Sequence, residues 1–201
     1  MMEKTEDKIL EAANKIFLKK GLYGARMQDI ADEAGINKAL LHYYFRSKDK
    51  LYSKVLQSVI QEFFPRLFSL IDANMPFEDK IRKIVENYIN LNLENPYFAF
   101  FILNEMHSRP ENLPGIVKMD EIKTMKKYLQ SEIDKEVKAG KIRHVKVEQL
   151  IANLVSLTIF PFAGKPMLMN IFSMNEKQYH DFLLERKELI PDIILNYLKK
   201  K

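Results

Sequence analysis

Asp29-Ile30-Ala31-Asp32-Glu33-Ala34-Gly35-Ile36-Asn37-Lys38-Ala39-Leu40-Leu41-His42-Tyr43-Tyr44-Phe45 is the stretch on which the fold of this chain turns. Its residue sizes are those of two short helices crossing closely at a tight turn. Ala31 is small where the helices meet, and Gly35 suits a backbone with positive φ. Asn37 is a good N-cap for a second helix running to Phe45. Ile30, Ala34, Ile36, Leu41 and Phe45 supply a core shared by the pair and the helix before it. The second helix is then free to project Lys38, Ala39, Leu40, His42 and Tyr43, with Tyr44 at the margin. Donors, small side chains and apolar groups on one face suit major-groove base edges and phosphates.

The flanks extend this reading. Ile9, Leu10, Ala13, Ile16 and Phe17 recur at helical spacing, and Lys19-Lys20-Gly21 closes that first helix with basic residues and a left-handed cap. The helix leading into the turn is expected over about Arg26 to Glu33. From Met1 to Glu33 there are six basic and seven acidic residues, but from Ala34 to Lys48 three basic and none acidic. Positive charge thus gathers on the proposed reading helix and its exit, at Arg46 and Lys48, with Lys50 and Lys54 beyond. Ser47 with Lys48 opens a fourth helix that can offer backbone N–H groups and an ammonium to one phosphate. Spacing alone leaves a second reading open: in a plain helix bundle Tyr43, Tyr44 and Phe45 would be core, and the lysines a solvated face.

From about Lys8 to Tyr52 the chain resembles the DNA-binding domain of the TetR/AcrR family of bacterial transcriptional regulators. The shared pattern is Asp29-Ile30-Ala31, then Gly35, Ile36, Asn37, Lys38, then Leu41 with Tyr43-Tyr44-Phe45, Arg46, Ser47-Lys48 and Leu51. The resemblance implies an all-α, dimeric regulator with an N-terminal three-helix helix-turn-helix domain. A C-terminal helical bundle would dimerise and bind a small molecule. It implies base contacts by Lys38, Ala39, Leu40 and His42, phosphate contacts by Tyr43 and Lys48, and a backbone contact by Gln28. Asn37 caps the reading helix, and Tyr44 could serve either set. Three departures stand out. Ala25-Arg26 replaces the usual hydroxyl cap of helix two, which leaves Arg26 free for a phosphate. Leu40 replaces a common Thr and favours a thymine methyl, and His42 replaces a common Tyr.

Beyond the motif, glycines and prolines cut the chain into helical segments. Leu51, Val55, Leu56, Val59, Ile60 and Phe63 mark helix four, which Pro65 is expected to bend or interrupt. Later helices are expected to start at Met75-Pro76, Asn95-Pro96 and Pro114, the last ending at Gly140. An apolar helix spans Val147 to Phe160, and a final one runs from Asn175 toward Lys201, kinked or restarted at Pro191. The domains are expected at 1–47, reading DNA, and 48–201, binding an effector and dimerising. The second domain has large apolar residues for an effector pocket, chiefly Tyr88, Phe101, Met125, Tyr128 and Phe160, with Asn92, Asn104 and Glu105 as polar anchors. The family pairs its last two long helices with those of a second copy. Here that places Leu150, Ile151, Leu154, Val155, Thr158, Phe182, Leu183, Ile193, Ile194 and Tyr197 at a homodimer interface.

Composition sets the outer bounds. The 201 residues include no cysteine, which excludes disulfides and thiolate metal sites, and a net charge of +5 tolerates an anionic partner without demanding one. Six glycines, about 3% against a usual share of roughly 7%, argue against sheet-rich classes. The charged start and the absence of a long apolar run lead us to expect a soluble, cytoplasmic protein with no membrane contact. His42, His107, His144 and His180 form no metal-ligand spacing, and no phosphate loop or nucleophile elbow occurs. No metal, cofactor or catalysis is expected. The expected partners are operator DNA, an apolar small-molecule effector and a second copy of the chain. The rival expectation is a helical sensor that acts through a protein partner without binding DNA.

Overall fold

The computed structural model describes residues 2–72, 74–110 and 119–200. By packing, these fall into two compact units, one of residues 2–64 and 100–110, the other of 65–72, 74–99 and 119–200. Ten α-helices are present among the described residues, with a single isolated bridge, Ile142 to Lys199, as the one extended pairing. The expected start at Pro114 and the side chain of Phe63 lie outside what is described.

The first unit begins with α1 (Met2–Gly24), which breaks at Gly21 (φ +66°, ψ −179°), where the sequence places a left-handed cap. Next come α2 (Met27–Ala34) and α3 (Lys38–Tyr44), each within a residue or two of expectation. Between them Gly35 adopts φ +66°, ψ 33°. Its N–H donates to Asp32 O at 3.1 Å and that of Ile36 to Ala31 O at 3.0 Å, closing the last carbonyls of α2. Helix α4 (Lys48–Asp72) runs through Pro65 without ending there. The described core of this unit includes Ile9, Ala13, Phe17, Ile30, Ala31, Leu41, Leu51, Tyr52 and Phe101. Phe45 is buried with them, whereas Ala34 and Ile36 are half-buried.

In the second unit α5 (Phe77–Glu94), α7 (Met119–Lys138), α8 (Val147–Ala163) and α10 (Glu176–Leu198) build one apolar core around Ile81, Val85, Ile89, Leu129, Ile133, Leu150, Leu183 and Ile194. Helix α6 (Phe98–Ser108) starts just past Pro96 and from Phe100 onward belongs to the first unit, and a short α9 (Lys165–Ile171) follows α8. Helix α8 contains Pro161, whose missing N–H frees the Leu157 carbonyl. The Arg186 guanidinium of α10 donates to that oxygen at 2.8 Å, and the Tyr179 hydroxyl donates to Pro161 O at 2.8 Å. Two side chains thus stitch the proline turn to the neighbouring helix. Helix α10 continues through Pro191 as one element. No single described helix is long and apolar enough to cross a membrane.

Candidate nucleic-acid interface

The geometry of the helix pair follows from its caps. Asn37 Oδ1 accepts from Leu40 N at 2.8 Å, fixing the first turn of α3, and Ser47 Oγ accepts from Lys50 N at 3.2 Å, opening α4. Arg26 stands at the N-cap of α2 with no side-chain cap, in line with the lost hydroxyl there. The Asp29 carboxylate instead takes the backbone N–H of Arg26 from inside the helix. Lys20, donating to Asp29 at 2.7 Å, holds that carboxyl below the usual carboxylate range.

Leu41 is the inward anchor of α3, and the opposite face is open. Asn37, Lys38, Ala39, Leu40, His42 and Tyr43 are exposed, Tyr43 at 70%, while Tyr44 is half-buried with its ring edge-on to that of Tyr43 at 5.5 Å. Arg26 and Gln28 are exposed on α2, where Gln28 donates to Asp32 at 2.7 Å. Lys48 is half-buried and donates to the Ala25 carbonyl at 3.0 Å, so the start of α4 is pinned to the junction of α1 and α2. Arg46 and Lys50 are exposed beside it, but Lys54 is paired with Glu6 at 3.2 Å and adds less to the positive surface. Among the described residues neither Lys38 nor Arg46 has an acidic partner.

Behind this face lies a support that the motif does not reveal. The Tyr52 hydroxyl, one turn beyond Lys48, donates to the buried Glu105 carboxylate at 2.6 Å. Burial, and then that bond, push the Tyr52 hydroxyl well above the ordinary tyrosine range. Its ring packs edge-on against Phe17 at 5.0 Å and against Phe101 at 5.6 Å, with the Arg109 guanidinium 5.4 Å from its centroid. Phe101, Asn104 and Glu105, expected in an effector pocket, therefore belong to the first unit. Their signal was a buried apolar stripe, which does not say what it packs on.

Tyr88, Asn92, Met125, Tyr128 and Phe160 belong to the second unit. Tyr88 and Met125 line one cavity there, Asn92 is fully buried, and Phe160 is 52% exposed. Of the residues expected at the dimer interface, Leu150, Leu154, Thr158, Leu183 and Ile194 lie in the unit's own core. Val155, Ile193 and Tyr197 are exposed, while Ile151 and Phe182 are half-buried. No group of three or more metal-binding side chains occurs among the described residues.

A capped pair of short helices, with one face buried and the other open beside unpaired basic side chains, defines a helix-turn-helix DNA-binding protein. Residues 9–55 match the family described as bacterial regulatory proteins, tetR family. That match covers the helix-turn-helix segment of the chain. NicS of Pseudomonas putida, an HTH-type transcriptional repressor, is 33% identical over 104 residues, covering 51% of this chain and 49% of NicS. The chain thus spans about half the length of that relative. IcaR of Staphylococcus aureus, a negative transcriptional regulator of a biofilm operon, is 25% identical over 97% of this chain and all of IcaR. The fold is also that of HlyIIR, a hemolysin II transcriptional regulator, with a TM-score of 0.67 at 22% identity over the whole of both chains. FadR from Bacillus subtilis, solved with stearoyl-CoA, gives a TM-score of 0.67 at 14% identity over 96% of this chain and 99% of FadR.

Proposed function

We propose that the protein is a cytoplasmic, homodimeric transcriptional repressor that binds a near-palindromic operator and is released by a small molecule. The observation that carries this reading is the open face of α3, presenting Lys38, Ala39, Leu40, His42 and Tyr43 on a framework fixed by the Asn37 cap and the Gly35 turn. Two such helices would enter successive major grooves, about one helical turn of DNA apart. Lys38, Ala39, Leu40 and His42 read bases. Tyr43, Lys48, Arg26 and Gln28 hold phosphates, and Tyr44 serves either role. We assign reading to residues 1–47 and sensing and dimerisation to 48–201, of which 48–64 and 100–110 pack with the reading helices. An effector bound in the second unit acts through α4, which runs through both, and changes the spacing of the two reading helices. By linkage, DNA weakens effector binding by the same factor. Catalysis has no part in this scheme.

The second copy is expected to pack on the outward faces of α8 and α10. On α10, Leu189, Ile193 and Tyr197 recur every fourth residue and are all exposed. On α8, Ala152 and Ser156 are exposed and small enough for another helix to approach closely. Selection of bound DNA from a randomised duplex library at low and moderate salt tests the whole reading. It should return a two-fold symmetric motif whose affinity falls steeply with salt. A folded dimer that selects no motif at either salt would overturn it in favour of a sensor working through a protein.

A further inference from the structure

Helices α5, α7 and α8 leave a cavity of about 70 Å³ within the second unit. Its deep lining is Ile84, Leu129, Leu154 and Thr158, all buried. Val155, 40% exposed, and the half-buried Met125 carry the lining out to the surface, so the space has a way in. Met125 is unbranched and adapts to a neighbour by rotating, which suits a rim that must yield.

The chemistry of the lining narrows what can enter. No charged side chain is among its described residues, and the Thr158 hydroxyl is turned onto the Leu154 carbonyl at 2.6 Å. An ion or a hydrogen-bonding group placed here would lose its hydration without compensation. An apolar cavity of this kind stays dry, so an occupant displaces no bound water. Left empty, the space weighs against the folded state by on the order of tenfold in the folding equilibrium, which an apolar occupant returns. A cavity of roughly 150 Å³ accommodates benzene, so one of about half that volume takes about three carbons and no ring.

We propose that this cavity binds the short unbranched alkyl end of a small aliphatic molecule, about three carbons deep, with any polar group left outside between Val155 and Met125. The proposal rests on the reading of the second unit as effector-binding and names the ligand class.

Titration of the full chain with the straight-chain alcohols from methanol to 1-hexanol, and with benzyl alcohol, tests it. The readout is the methyl NMR signal of Met125, assigned by its loss in Met125→Leu. Each added CH₂ should tighten binding about fourfold up to 1-propanol, and the gain should level off by 1-butanol, where the cavity is full. Benzyl alcohol should leave the signal in place. Ile151, half-buried, also lines the cavity. Ile151→Phe, which fills the space, should abolish the response, and Ile151→Ala, which enlarges it, should move the levelling point to longer chains. No response to any alcohol, a gain that continues unbroken to 1-hexanol, a response to benzyl alcohol, or a profile that neither variant alters would each overturn the proposal. Should either variant fail to fold, the wild-type series and its levelling point still decide. DNA binding by the ligand-free wild type is measured alongside. If it persists while the alcohols fail, this site falls and the regulator reading stands; if the alcohols bind with the expected profile and DNA does not, the reverse holds.

Discussion

Lys48 sits where the fold and the proposed DNA interface meet. Its ammonium donates to the Ala25 carbonyl at 3.0 Å from a half-buried position, so removing it loosens the junction of α1 and α2 as well as the phosphate contact proposed for it. Lys48→Ala should cost about 1 kcal/mol of stability, read by urea unfolding. It should also weaken binding to every duplex alike and lower the salt slope by about one. His42 is exposed on the reading face. His42→Ala should leave stability within about 0.5 kcal/mol while changing the preferred base at one position in each half-site. If the two variants act identically in duplex selection, α3 does not read bases. Tyr52 makes a different prediction, on pH. Burial and the Glu105 carboxylate raise its hydroxyl, burial alone raises that of Tyr88, and burial pushes Tyr179 up to about 12. Each folded value lies above the ordinary 10.0, so the stabilisation is fully present below pH 10 and is lost as pH rises past it. Unfolding midpoints should hold through neutrality and fall above pH 10. Tyr52→Phe should make that fall shallower and lower the neutral plateau by about 1–3 kcal/mol, since Glu105 loses a donor in a buried place.

Among the elements, the turn between α2 and α3 is the most sharply testable. Gly35 has φ +66°, yet a Cβ added there would meet nothing within 4 Å. The cost of Gly35→Ala is therefore backbone strain alone, about 1–2 kcal/mol, and Gly35→Asn should recover part of it. A thermal scan that ranks Ala below Asn below Gly supports this; equal midpoints would refute it. Such short-range chemistry is why α2, α3 and the start of α4 were legible in the sequence. Caps and turns at Asn37, Gly35 and Ser47 act within four residues, so their side chains announce them. Proline was a less decisive signal than the caps and turns. The sequence alone expects Pro65 to bend or interrupt α4 and Pro191 to kink or restart α10; both helices run on through their prolines, and Pro191 is buried among the core residues of α10. Helix α9, with seven residues, is too short to show a periodicity. Phe101 and Glu105 of α6 are buried, but an apolar stripe does not say against what. The partner of Glu105, Tyr52, is 53 positions away in sequence, and no local pattern encodes that pairing.

For the whole molecule the decisive property is assembly, because the symmetric operator and the effector control proposed above both presuppose two copies. Helices α8 and α10 are apolar on more than one face, so the sequence shows that they pack without showing which side packs inward. The structure separates the sides at neighbouring positions. Ile194 is 4% exposed and belongs to the core of the second unit, whereas Ile193 is 46% exposed on the stripe with Leu189 and Tyr197. Asp at the two positions should therefore have opposite consequences. Ile194→Asp buries an unpaired carboxylate and should unfold the unit, visible as lost helical circular dichroism. Ile193→Asp leaves the core untouched and should give a folded monomer in sedimentation, because two like charges would meet across a two-fold interface. That monomer should still hold a single half-site, but only weakly, since the second half-site is no longer delivered at high effective concentration. Its salt slope should fall to roughly half, because it neutralises half the phosphates. A folded Ile193→Asp protein that stays dimeric and keeps full operator affinity would move the interface off this face of α10.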